Sequence, residues 1–182
     1  HCDASSEEAQ VMSCRIEGRV GGVIGGYSLD CTATSDSISG RIGGWLQGAD
    51  VSLSIDPAGM ITGRFGGIIL GRTLVAQLSD NSLIEGRIGG AVDGNDIRVS
   101  GNERINGRCG GDVFGFDADL VVVGSRLKGR LGGDIIGMSV DVSVAECLPP
   151  VVSALMAMVT YYYYLVNTRR SSGGSSSGSS RN

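Results

Sequence analysis

Side chains that carry chemistry are scarce in this chain. It has one histidine, His1, and one lysine, Lys128, so catalytic triads, imidazole-held metals and lysine adducts have little material. Its five cysteines, Cys2, Cys14, Cys31, Cys109 and Cys147, include no CxxC pair, which argues against a zinc site. Basic residues number 15 against 19 acidic ones, for a net charge of -4. A nucleic-acid partner is disfavoured by that balance. Prolines number three and aromatic residues make up 5% of the chain. No cofactor or metal is expected, and the pattern reads as non-enzymatic.

Glycine, in contrast, is abundant, with 31 residues. It is not scattered. A frame GRxGGxxxG begins at Gly18, Gly40, Gly63, Gly86, Gly107 and Gly129, at spacings of 22, 23, 23, 21 and 22 residues. A period of this size is the signature of a repeat protein. Phosphate-binding glycine loops occur once, between a strand and a helix, so six copies without helices do not fit them.

Within each copy, apolar residues alternate with polar ones. In the fourth, Ile84, Gly86, Ile88, Gly90, Val92 and Gly94 share one face, and Glu85, Arg87, Gly89, Ala91 and Asp93 the other. That is a strand of period two. After the last glycine the phase shifts by one, and a second strand follows, as in Val51-Ser52-Leu53-Ser54-Ile55. The expected fold is therefore all-β: a flattened two-sheet β-solenoid of six ~22-residue repeats over residues 16–147. Inward glycines would form sockets for side chains of the facing sheet. An antiparallel meander or twelve-stranded barrel is the alternative, because the short connections also suit hairpins. In period and strand-turn-strand plan the array resembles curli-type amyloid subunits, without their Gln/Asn ladders, and the resemblance implies architecture alone.

The ends differ from the array. Residues 1–15 read as an N-terminal cap, with Ser5-Ser6-Glu7-Glu8 as a capping box. A chain starting at His1 suggests removal of a signal or transit peptide, and a disulfide is expected among Cys2, Cys14 and Cys31. Beyond Pro149-Pro150, the stretch Val151 to Val166 has no charge. As a helix it would span about 24 Å, so residues 148–168 are expected to be a transmembrane helix. Tyr161, Tyr162, Tyr163 and Tyr164 would form its aromatic belt, and Arg169 and Arg170 its cytoplasmic flank. A buried docking helix is the other reading. Residues 169–182, rich in Ser and Gly, are expected to be a flexible tail.

Two outward features suggest binding. Arg19, Arg41, Arg64, Arg87, Arg108 and Arg130 hold one position of the frame. In a parallel solenoid they would stack ~4.8 Å apart, a column needing an anionic ligand or local acids. Beside it, Gly43, Gly66 and Gly89 with Val23, Trp45 and Ile68 make a flat, partly apolar strip suited to docking. Asp117 and Asp119 form an outward pair read as solvated acids. The function expected is a membrane-anchored structural or docking subunit, single-pass, with its β domain outside the cytoplasm. Its partners would be other protein subunits or copies of itself, and the lipid bilayer. The alternative is an adhesin or polyanion-binding module that meets an anionic glycan through its arginines.

Overall fold

A computed structural model describes residues 13–22, 25–44, 48–66, 71–89, 94–110, 115–132 and 137–179, with side chains of the final helix described to residue 167. The alternation forms strands as expected: β1 (Cys14–Gly21), β2 (Gly26–Ala33), β3 (Ser37–Gly43), β4 (Gly48–Ile55), β5 (Met60–Phe65) and β6 (Arg72–Ser79). They are followed by β7 (Leu83–Gly89), β8 (Asn95–Gly101), β9 (Arg104–Gly110), β10 (Gly115–Val123), β11 (Arg126–Gly132) and β12 (Gly137–Ser143). One helix, α1 (Pro150–Ser179), ends the described chain. Residues 1–12 of the expected N-terminal cap lie outside the described residues, and its last two, Cys14 and Arg15, belong to β1.

The strands do not stack as a solenoid. Each pairs antiparallel with its neighbour in sequence, and β1 pairs with β12 through Gly18↔Val142 to Gly21↔Ser139, closing a barrel. The sequence-level alternative is the correct one. The reason is register: in the β3–β4 hairpin Arg41 faces Asp50, Ile42 faces Ala49 and Gly40 faces Val51. Folding back places apolar residues on one face and opposite charges on the other. Closure also removes the unpaired edges that a solenoid would leave at each terminus.

The two ends of the barrel differ. At one, short turns join even to odd strands. Asp80 and Asn81 have φ of 54° and 57°, the left-handed pair that a tight hairpin favours. Each turn also accepts a hydrogen bond from the next even strand, as in Ile55 N to Asp36 O at 2.8 Å and Leu78 N to Gly59 O at 2.8 Å. These bonds continue around the rim as Gly101 N to Ser82 O, Val122 N to Glu103 O and Val144 N to Ser125 O. The rim is thereby hooped. The opposite end, where the first glycine of each frame's GG pair lies, is the mouth.

A twelve-stranded barrel is too wide for its own side chains to fill. The filler is α1. Pro150 occupies its first turn, where the missing N–H costs nothing, and Val151 to Tyr162 are buried throughout. This overturns the transmembrane assignment of residues 148–168. The uncharged run is apolar on every side because barrel wall surrounds it on every side. No helix among the described residues is long and apolar enough to cross a membrane. Its two buried polar side chains are satisfied locally: Ser153 Oγ accepts from Ala145 N at 3.1 Å, and Thr160 Oγ1 donates to Met156 O at 2.8 Å. The helix continues to Ser179, so the stretch expected to be a flexible tail after residue 168 is helical through that point.

The inward strand positions match the sequence reading. Ile16, Ile38, Ile61, Ile84, Ile105 and Leu127 are all 0% exposed. Val20, Ile42, Phe65, Ile88, Cys109 and Leu131 form the next ring of the core. The glycines between these rings are not sockets for a facing sheet. A Cβ on Gly86 would strike the Val75 carbonyl oxygen and the Ala76 Cα, atoms of the adjacent strand in the same sheet. Glycine is thus required where the wall bends tightly against its neighbour.

The disulfide also differs from expectation. Cys14 is bonded to Cys147, with Cα atoms 6.0 Å apart, and Cys31 and Cys109 are free and buried. Barrel closure explains the pairing, because it brings the start of β1 beside the chain leaving β12. Ser143 joins the same seam: its hydroxyl accepts from Glu17 N at 2.9 Å and donates to Arg15 O at 3.0 Å.

Candidate functional site

Two surfaces gather the residues singled out from sequence: the mouth and the outer wall. At the mouth, the tyrosines expected to form a membrane belt make a collar against the inside of the wall. Tyr161 packs edge-on to Phe116 at 4.7 Å, and Phe65 meets Tyr162 and Tyr163 at 6.3 Å each. Tyr27 takes Tyr164 edge-on at 5.1 Å. Polar ends are paired: Tyr163 OH donates to Gly48 O at 3.1 Å, and Asn167 Nδ2 donates to Tyr27 OH at 3.0 Å. Burial raises the phenol pKa of Tyr27 and of Tyr161. The collar locks the exit of the helix. Arg169 and Arg170 lie on α1 beyond this collar, and their side chains are outside the described residues.

The six frame arginines are exposed on the outer wall. They form a belt rather than a column, because an even strand separates each from the next. Neighbouring odd strands are therefore about 9.5 Å apart, which removes most of the repulsion a stacked ladder would carry. The intervening strands supply acids to half of them. Arg41 pairs with Asp50 at 2.8 Å, Arg87 with Asp96 at 3.0 Å and Arg108 with Asp117 at 2.9 Å. In each case the carboxylate lies nine residues on, directly across the hairpin.

The other three have hydroxyls at that position: Arg19 faces Ser28, Arg64 faces Thr73 and Arg130 faces Ser139. Arg19 donates instead to Gly25 O at 3.0 Å. This division escapes a reading of the frame alone, although the Asp or Ser/Thr nine residues on was visible in the sequence.

Asp117 and Asp119 project outward as ion-pair partners, Asp119 reaching Arg104 at 3.5 Å. Among the described residues no group of three His, Cys, Asp or Glu converges as a metal site would require. Of the docking strip, Gly43, Gly66 and Gly89 sit at the mouth-side ends of β3, β5 and β7. Val23, Trp45 and Ile68 lie outside the described residues.

No protein family, curated protein or solved structure matches this chain. Its function must be argued from the barrel itself. The interior is occupied, the mouth is plugged by tyrosines, and the outer wall holds a belt of six arginines, three of them paired with acids across their hairpins.

Proposed function

We propose that this protein is a non-enzymatic docking subunit of a larger assembly, working outside the cytoplasm and binding other protein subunits, or copies of itself, through its outer wall. The observation that carries this reading is the helix inside the barrel. A barrel that stores a small molecule keeps part of its lumen open, whereas this one commits its lumen to Val151–Tyr162. Its exterior is left to do the binding. Membrane anchoring is dropped from the reading, since the segment assigned to it is the core.

The wall is not uniform. The outward positions of β5 and β6 are Thr62, Arg64, Thr73, Val75 and Gln77, with one charge among them, and Ser52 and Ser54 continue the uncharged surface on β4. Val75 is 51% exposed. Depletion of charge marks the centre of protein interfaces, and a disulfide supports an oxidising compartment.

The test is cross-linking and mass spectrometry of the oxidised protein in its producing cells. Cross-links should concentrate on the β4–β6 wall and disappear in Val75→Asp. Links spread evenly around the barrel, or unchanged by that substitution, would sink the docking reading.

A further inference from the structure

The unpaired arginines are not spread evenly. Arg19 and Arg130 flank the same strand, β12, where the barrel closes. Arg19 and Lys128 stand in one row on either side of Asp141, and Arg130 lies one row nearer the mouth, beside Ser139. Outward residues of β1, β11 and β12 comprise the cations Arg15, Arg19, Arg126, Lys128 and Arg130 against the acids Glu17 and Asp141. On a chain of net charge -4, the seam is a cationic face.

The nearby carboxylates do not neutralise it. Asp141 is held from the hairpin side by Arg126, with Nε to Oδ1 at 2.9 Å and Nη2 to the Asp141 carbonyl at 3.1 Å. Asp119, across from Arg130, is turned toward Arg104 at 3.5 Å. Glu17 lies 3.5 Å from Arg15. Asp141 shares its row with Arg19 and Lys128 and is tied to Arg126, while Glu17 and Asp119 are engaged by Arg15 and Arg104, so three cations, Arg19, Lys128 and Arg130, stand around one acid. Among the described residues neither Arg130 nor Lys128 has an ion-pair partner.

Those cations border a depression. Arg19, Arg130, Ser139, Val140 and Asp141 line an open hollow of about 610 Å³, together with Gly21, Gly22 and Gly137. β1 and β11 lie about 9.5 Å apart across β12, so the long side chains of Arg19 and Arg130 can converge above Ser139. The Arg130 fork, the donors of Arg19 that remain beside its bond to Gly25 O, and a hydroxyl suit an oxyanion with several acceptor oxygens. The missing side chains below let it approach the wall. Arg64 provides the contrast: among the described residues it also lacks an ion pair, but it stands alone between Ser52 and Thr73, with no second cation beside it.

We propose that the β11–β12–β1 seam is a binding site for a tetrahedral oxyanion, a sulfate or phosphate ester group, held by Arg19 and Arg130 with the Ser139 hydroxyl and supported by Lys128. The site stands independently of the docking wall on β4–β6. It explains why three cations remain together in a belt where other positions carry matched acids.

The experiment is an NMR titration of the full oxidised chain at low ionic strength, first with inorganic sulfate and separately with inorganic phosphate. Saturable shifts should centre on the amides of Arg19, Arg130 and Ser139. Binding should weaken about tenfold in Arg130→Gln, the size of losing one charge-assisted pair, and change by less than about twofold in Arg87→Gln, whose arginine has its own acid. All these residues are exposed, and thermal unfolding confirms that the variants fold. A heparin-derived oligosaccharide and inositol hexakisphosphate then separate the sources: tighter binding of the first identifies a sulfated glycan, of the second a phosphate ester. Equal losses in Arg87→Gln and Arg130→Gln, or no saturable shift at the seam, would overturn the proposal.

Discussion

Cys14 and Cys147 stand 133 residues apart in sequence and 6.0 Å apart at Cα, joined by a disulfide where the barrel closes. The bond fastens the first residue of β1 to the link between β12 and α1, and so holds both the seam and the root of the helix. A loop of this length loses considerable freedom in the unfolded chain when it is closed. Cys14→Ser with Cys147→Ser should therefore lower stability by about 3–5 kcal/mol, measured by denaturant unfolding of the two oxidised and reduced forms. A change under about 1 kcal/mol would mean that the hooped rim alone fixes the seam.

The two free thiols predict an alkaline weakness. Burial pushes Cys31 up to about 12, assisted by the Asp30 carboxylate, and burial pushes Cys109 up to about 12. The ordinary value is 9.0. Between these limits the unfolded chain loses thiol protons that the folded chain keeps, so the unfolded state gains. Stability from this source is intact below pH 9 and falls as pH rises toward 12, by about 1.4 kcal/mol per pH unit for each thiol. Tyr27 and Tyr161, also raised by burial, act in the same direction at higher pH. Denaturant midpoints at pH 8 and pH 10.5 should show the fall, and Cys31→Ala with Cys109→Ala should flatten it.

Glycine has different weight at different points of the barrel. Gly86→Ala places a methyl on the backbone of β6, and should destabilise by about 3 kcal/mol as an overpacked site. Gly124→Ala meets nothing within 4 Å but must adopt φ of 64°. It should cost about 1–2 kcal/mol. Thermal unfolding of the two variants tests the order, and equal effects would remove the distinction between wall bending and turn geometry.

The helix should be indispensable. Leu155→Ala, at a side chain that is 0% exposed, should cost about 2–5 kcal/mol. A chain ending at Leu148 should fail to give a cooperative unfolding transition, because the wall would enclose empty space. A peptide spanning residues 148–167 added during refolding should restore it. Native-like near-ultraviolet dichroism of the truncated chain by itself would show that the wall collapses onto its own side chains.

Strands and inward slots were legible in the sequence because period two depends on local alternation alone. Pairing was not, since a solenoid and a meander use the same alternation. The deciding signal was nonetheless present: Arg41 and Asp50, Arg87 and Asp96, Arg108 and Asp117 are each nine apart, the separation that a hairpin brings face to face. A parallel stack would bring like arginines together instead. The run from Val151 misled for a related reason. A helix surrounded by lipid and one surrounded by barrel wall both need apolar residues on all sides, and hydropathy does not tell the two surroundings apart. The cationic seam required closure, because Arg19 and Arg130 become neighbours only when β1 meets β12.

The helix at the centre also sets a timetable. Its residues follow the twelve strands, so the core cannot form before the helix has been made, and the seam must wait until β12 can meet β1. The strands settle around a segment that comes after them in the chain. Folding is therefore expected to be slow, as long-range pairing imposes. Until the helix arrives, a chain rich in apolar strand faces must be kept from pairing with other copies of itself.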